Sequence, residues 1–135
     1  VYTKSKTIKK AFNVNSNATV KIDNSYGNLD VVTWDENRVV MEITITTNGN
    51  DEDKVQDKLD EITVNFEASQ SQVYAKTILN KHKSRSWWSW GNNNVNMKIN
   101  YIVKMPKTNS VDFSNDYGSI NLDTLEGDVL FRSFR

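Results

Sequence analysis

Asn24-Ser25-Tyr26-Gly27-Asn28-Leu29-Asp30-Val31 returns in the same chain as Asn115-Asp116-Tyr117-Gly118-Ser119-Ile120-Asn121-Leu122, and this repeated stretch decides the fold. The match extends backwards, Val20-Lys21-Ile22 against Val111-Asp112-Phe113 and Phe12-Asn13-Val14 against Val103-Lys104-Met105, and forwards to Thr33 and Thr124. Each copy reads as a strand, a turn at Tyr-Gly and a second strand. Asn and Asp hydrogen-bond their own backbone in turns, and glycine supplies a positive φ without a Cβ clash. Asn-x-Tyr-Gly between alternating apolar residues is therefore a turn signal. The Tyr can lay its ring on the next layer and keep its hydroxyl wet. After the second turn come Ile120, Leu122 and Leu125, a corner at Glu126-Gly127-Asp128, and a further short strand with Val129 and Phe131. Sheets that coil or stack need such corners at regular intervals.

Outward from the repeat, the rest of the chain reads mainly as strands. Val39, Met41, Ile43 and Ile45 alternate with polar residues, as do Ile62, Val64 and Phe66, then Val73, Ala75, Thr77 and Leu79. The last two runs read as a hairpin across Gln70-Ser71-Gln72. Val95, Met97, Ile99, Tyr101, Val103 and Met105 give the longest alternation, which Pro106 ends because it cannot donate to a ladder. One helix is expected over about Asp51 to Glu61. Asn50 or Asp51 serves as N-cap, acidic residues occupy the first turn, and Val55, Leu59 and Ile62 form one apolar stripe. The prediction is a mainly β, solenoid-like or sandwich-like domain of repeated strand–turn–strand units with one short α-helix. The units fall at about 12–34 and 103–125, and the segment from Val39 to Asn94 reads as an elaboration between them.

Length and composition bound the class. At 135 residues the chain is one domain with room for a core. Seventeen Lys and Arg balance seventeen Asp and Glu, so no global field draws the protein to nucleic acid or anionic membrane. With no cysteine, disulfides, thiolate catalysis and Cys-based zinc sites are excluded. No apolar run approaches membrane-spanning length. The chain starts at Val1, and Leu130 to Arg135 carries no stop signal. The expectation is a mature or excised piece of a longer repeat protein.

Val-x-Ile-x-Asn-x-Tyr-Gly-x-Leu-x-Val (20–31), then Thr33-Trp34-Asp35 and the strand Met41 to Ile45, resembles the β-strand-repeat "putative adhesin" family of Bacteroidetes-type bacteria, envelope proteins of unknown function. The extended strand Ile99-x-Tyr101-x-Val103-x-Met105-Pro106 before the second copy is similar to that family too. The resemblance covers nearly the whole chain. It implies a signal peptide and export to the periplasm, outer membrane or cell surface. It also implies a right-handed β-solenoid or sandwich-like body, and it carries over no catalytic residue. The chain departs from the family pattern in ending after barely one C-terminal repeat.

Asn80 to Asn94 breaks all periodicity, and Trp87, Trp88 and Trp90 stand there beside Lys83 and Arg85. Indoles stack on sugar rings or anchor at lipid interfaces, and nearby cations hold acidic groups. These five residues are the candidate ligand-binding set. The competing reading folds the indoles back onto the strands as a lid, because exposed apolar surface is unfavourable at roughly 25 cal/mol per Å². Single-stranded nucleic acid would also use aromatics beside cations, but the neutral balance and short basic run oppose it. His82, the only histidine, reads as a solvated residue between two lysines, which removes a Ser-His-Asp triad and a histidine metal site. Asp116, Asp123, Glu126 and Asp128 could in principle converge on calcium, yet they lack any calcium-loop spacing and suit turns. Asn24, Tyr26, Gly27, Asn115, Tyr117 and Gly118 read as structural turn residues, and Trp34 as core or edge packing. No cofactor or metal is expected. The function expected is a non-enzymatic, exported adhesin or interaction module. The alternative is a structural or regulatory envelope module that binds a partner protein through a sheet edge. A carbohydrate-active enzyme is a third reading, since a carboxylate pair can come from anywhere in a chain.

Overall fold

Period-two alternation becomes strand wherever the sequence carries it. The computed structural model describes residues 1–80 and 94–132. Its elements are β1 (Tyr2–Asn13), β2 (Thr19–Ser25), β3 (Leu29–Trp34), β4 (Arg38–Gly49), α1 (Glu52–Glu61), β5 (Ile62–Ala68), β6 (Gln72–Leu79), β7 (Asn96–Pro106), β8 (Ser110–Asp116), β9 (Ile120–Leu122) and β10 (Val129–Arg132). They form two five-stranded mixed sheets, β1-β4-β7-β3-β9 and β10-β8-β2-β6-β5. Their apolar faces share one core, with Val20, Ile22, Ala75 and Phe113 from one sheet and Leu29, Ile43, Tyr101 and Val103 from the other.

The two copies of the repeat lie on each other residue for residue. β2 and β8 run parallel from Thr19 opposite Ser110 to Ser25 opposite Asp116, and β3 and β9 continue the match on the other sheet. Phe12 falls outside this register: it sits in β1, opposite Val39, and not beside Val103. A third unit is formed by β6, from the segment read in the sequence as an elaboration, and β7, which follows that segment. β6 sets Val73 and Ala75 beside Val20 and Ile22, while β7 sets Tyr101 and Val103 beside Leu29 and Val31. β10 opens a fourth, with Val129 and Phe131 parallel to Val111 and Phe113, 18 positions earlier. Columns of like residues follow, Val73–Val20–Val111–Val129 and Ala75–Ile22–Phe113–Phe131. A one-residue slip would turn every apolar side chain outward, so burial of one face fixes the register. The Phe113 and Phe131 rings stack with centroids 6.0 Å apart.

The opposite end of the stack is closed by antiparallel additions. β4 and β1 extend one sheet beyond β7, and β5 extends the other beyond β6. α1 packs on β4, β1 and β5. Its start follows local chemistry: the Asp51 carboxylate accepts from the backbone N–H groups of Asp53 and Lys54 at 3.0 and 3.2 Å. Val55 and Leu59 bury the apolar stripe, and Thr47 Oγ1 donates to Val55 O at 3.0 Å. β1 is an edge strand with Lys4, Lys6 and Lys10 in register with the buried Thr47, Ile45 and Met41, so these lysines lie on its core-facing side. Inward-facing lysines at an edge block pairing with another chain.

Replacing Asp51 by Ala leaves two N-terminal amides of α1 without their acceptor. We expect a loss of about 1 kcal/mol in urea unfolding, with the native far-ultraviolet spectrum kept.

Candidate functional site

The bend between the two strands of each unit gathers the repeated residues. Tyr26 and Tyr117 hold left-handed backbone at φ 61° and 60°, and no described glycine has a positive φ. This corrects the reading of the turn: the tyrosine takes the left-handed position, and the glycine is needed for space. A Cβ on Gly27 would lie 1.8 Å from Ile99 O, and one on Gly118 would lie 1.7 Å from Gly27 O. The glycines let each backbone pass directly over the one before it. Left-handed geometry costs an ordinary residue about 1–2 kcal/mol. Tyr26 and Tyr117 offset part of this by stacking, with centroids 5.0 Å apart and planes 11° from parallel, a contact worth roughly 0.5–1.5 kcal/mol.

Inside the bend runs a buried amide column. Asn24 Nδ2 donates to Ile99 O at 3.0 Å and to Asn115 Oδ1 at 3.2 Å. Asn115 Nδ2 donates to Gly27 O at 3.0 Å and Ser119 O at 3.1 Å. Thr77 occupies the same column in the β6 unit and donates to Asn24 Oδ1 at 2.9 Å. Its single proton being used, Thr77 accepts from the Tyr101 hydroxyl at 2.7 Å. Burial pushes the Tyr101 phenol well above its ordinary range; the Thr77 hydrogen bond partly opposes this, and Asp23 adds to the rise. A second column at the outer corner joins Asn28 N to Asn100 Oδ1 at 2.9 Å and Ser119 N to Asn28 Oδ1 at 3.1 Å. Nothing in this network leaves a reactive group; it supplies acceptors and donors to bend amides and carbonyls.

The β6–β7 unit lacks the Tyr-Gly turn. Thr77 and Asn24 are 53 residues apart, whereas Asn28 and Asn100 are 72 apart. The connection between β6 and β7 is therefore 19 residues longer than the turn it replaces. It leaves and returns on the bend edge, where Asn80 N donates to Glu61 O at 2.7 Å and Ile99 N donates to Tyr26 O at 2.8 Å. Trp87, Trp88, Trp90, Lys83 and Arg85, with His82, lie outside the described residues. Sequence reasoning isolated this loop but missed that it stands in for a repeat turn. Val73-x-Ala75-x-Thr77 carried the signal, matching Val20-x-Ile22-x-Asn24.

Elsewhere the polar surface partners itself. On the outer face of the second sheet, Lys21, Asp23, Tyr74, Asp112, Ser114 and Arg132 line a shallow groove. There Lys21 Nζ sits 4.8 Å over the Tyr74 ring and Arg132 lies 3.6 Å from Asp112. Asp123 accepts from Thr124 N at 2.8 Å, and the Asp128 N–H donates to Ser110 Oγ at 3.0 Å. Among the described residues, no three His, Cys, Asp or Glu side chains gather as a metal site. Trp34 donates from Nε1 to Arg38 O at 2.8 Å, with Arg38 and Lys104 over its ring at 5.1 and 5.8 Å.

No family model and no curated protein matches the chain. Solved structures similar to it include a "putative cell adhesion protein" of Clostridium sporogenes, at 12% identity and TM-score 0.51, over 96% of this chain and 57% of that one. Two further structures, each described as a "putative adhesin", come from Bacteroides fragilis (18% identity, TM-score 0.42) and Parabacteroides merdae (16%, 0.39). The present chain covers 52% and 44% of those two chains, and they cover 95% and 92% of it. The Clostridium structure shows a similar overall fold, and the chain spans little more than half its length.

Two outcomes test the bend. Gly118→Ala forces a Cβ against backbone, and we expect a loss of about 3 kcal/mol or more, well above that of Gly49→Ala, whose Cβ would meet its nearest atom at 3.1 Å. Above pH 10, the ordinary value for Tyr101, the unfolded chain releases a phenol proton that the folded chain retains. Stability is thus full below pH 10 and falls as pH rises beyond it, by up to about 1.4 kcal/mol per pH unit. Denaturant titrations from pH 8 to 11.5 should show this component in the wild type and not in Tyr101→Phe.

Proposed function

We propose that this chain is a non-catalytic binding module of an exported envelope protein. Its strand–turn–strand units form a β-solenoid-like body, and the 19-residue connection between β6 and β7 is the contact loop. The observation that carries this reading is the substitution itself. Two units turn at the bend with five residues centred on Tyr-Gly, and their columns are complete. The third uses 19 more residues for the same reversal, a length the stacking does not require. Those residues include Trp87, Trp88 and Trp90 with Lys83 and Arg85, chemistry suited to sugar faces and acidic groups. The strands that carry it, β6 and β7, meet the bend edge where Tyr26 and Tyr117 reach solvent, 38% and 57% exposed.

The adhesion description of the Clostridium protein, whose fold is similar, supports the same reading. An exported location, whether periplasmic, outer-membrane-associated or at the cell surface, follows from it. No helix among the described residues is long and apolar enough to cross a membrane.

The test removes the loop's side chains and keeps its length. A chain in which residues 81–93 give way to a glycine-serine linker of the same length should keep its melting temperature and lose binding on an array of bacterial and host glycans. Trp88→Ala and Trp90→Ala should each weaken binding by about tenfold or more, with melting temperature unchanged. Binding that survives all three changes would contradict the proposal. A large fall in melting temperature for the Trp variants would place the indoles in the fold.

A further inference from the structure

Resting on the reading of the β6–β7 connection as a glycan-contact loop, we infer that the outer face of the second sheet is a further subsite for the same ligand, one that takes uncharged sugar units. The glycan is then an extended chain that runs from the bend edge down this face. The register sets Glu67, Tyr74, Lys21 and Asp112 side by side across β5, β6, β2 and β8. Directly opposite residues share a face of the sheet. Val20, Ile22, Val73 and Ala75, which alternate with them, fill the core, so this row faces outward. Two positions along the strands, Lys76, Asp23, Ser114 and Arg132 make a second outward row across β6, β2, β8 and β10.

Tyr74 stands as a ridge between two hollows. One, about 290 Å³, has Glu67, Ser69 and Gln72 as its polar walls. The other, about 250 Å³, has Lys21, Asp23, Asp112, Ser114 and Arg132. The side chains around the ridge are already held in place. Lys21 Nζ sits 4.8 Å from the Tyr74 ring centroid, and Arg132 lies 3.6 Å from Asp112. Fixing them before a ligand arrives lowers the ordering cost of binding. Each keeps spare capacity: an ammonium has three donors, and a carboxylate has two oxygens with about four acceptor sites. The Tyr74 ring adds an apolar wall shared by both hollows.

Charge selects the occupant. The two rows hold three cations, Lys21, Lys76 and Arg132, against three carboxylates, Asp23, Glu67 and Asp112. An anion drawn to Lys21 or Lys76 meets Asp112 or Asp23 one strand away, at about 4.8 Å. A cation drawn to those carboxylates meets the lysines in the same way. An uncharged polyhydroxyl chain meets no such repulsion. Its hydroxyls donate to the carboxylates and accept from the cations, and its C–H patches lie against Tyr74. A protein partner would need an apolar centre to its contact, and these rows supply one ring. A strand added at either edge of the sheet lengthens this face and leaves these residues uncovered. β6 links the two sites: Tyr74 precedes Asn80 by six residues, about 20 Å along an extended strand. A ligand that engages both must be several sugars long.

Titration calorimetry with neutral glucose, mannose and N-acetylglucosamine oligomers, from disaccharide to hexasaccharide, tests the subsite. In at least one series the affinity of the wild-type chain should rise about tenfold or more with length. Tyr74→Thr keeps a β-branched strand former and removes the ring. Lys21→Met keeps the stem and removes the donors. Each should erase about threefold to tenfold of that rise, with disaccharide affinity and melting temperature unchanged. Galacturonic acid oligomers of the same lengths should show no rise that depends on Tyr74. A rise with length that both variants keep would overturn the face and leave the loop reading standing. A Tyr74-dependent rise confined to the acidic oligomers would overturn the uncharged ligand. Binding that the glycine-serine loop chain keeps and Tyr74→Thr loses would overturn the loop reading and support the face. A wild type that binds none of the neutral series would overturn both.

Discussion

Every unit of this molecule depends on one backbone lying directly on the backbone before it at the bend. Parallel strands in register are about 4.8 Å apart, and the bend must keep that spacing while the chain reverses. The carbonyls of Ile99 and Gly27 occupy the space where Cβ atoms of Gly27 and Gly118 would be. Any other residue there would push the units apart and break the columns on both sheets. The left-handed tyrosines follow from the same constraint: turning the chain within so few residues needs a positive φ, and the glycine already serves another purpose. Stacked rings then recover part of the backbone cost.

The constraint also explains why polar residues lie in the core at this place. Reversal exposes carbonyls that no sheet partner can reach, and buried unpaired carbonyls are costly, about 1–3 kcal/mol each. Asn24 and Asn115 reach them from within: Asn24 bonds to the units on either side, and Asn115 serves its own unit at Ser119 and a neighbour at Gly27. Thr77 and Tyr101 terminate the column where the repeat turn is lost. The polar network and the apolar columns thus share one register, and each reinforces the other against slippage.

Much of this was legible in the sequence. The strand runs, the helix with a cap at Asn50 or Asp51, the Pro106 stop and the presence of two repeat copies all follow from periodicity and turn chemistry. The third unit was not legible, because 19 extra residues separate Thr77 from its continuation and Tyr-Gly is absent there. Without that marker, Val73 to Leu79 reads only as the partner of β5, a pairing that also exists. The division of roles between Tyr26 and Gly27 was inverted, since a glycine after a polar turn residue is normally taken as the left-handed position, while close approach of another chain segment leaves no local signal. Phe12 was misplaced because alternation defines a face and not a neighbour. The tryptophans stood out by composition, but their relation to the fold required the register of β6 and β7.

Function in this account belongs to the place where the repeat is broken, a bend that has gained a loop. That reading stands on the claim that the bends are as firmly built as the strands. Native-state hydrogen exchange measures this most directly. The amides of Tyr26, Leu29, Ile99 and Tyr101, bonded to Asp116, Ser119, Tyr26 and Asn28 carbonyls, should exchange only with the free energy of global unfolding, alongside Ile22 and Ile43 in the strands. Exchange at these four amides orders of magnitude faster than in the strands would show frayed bends and contradict the account.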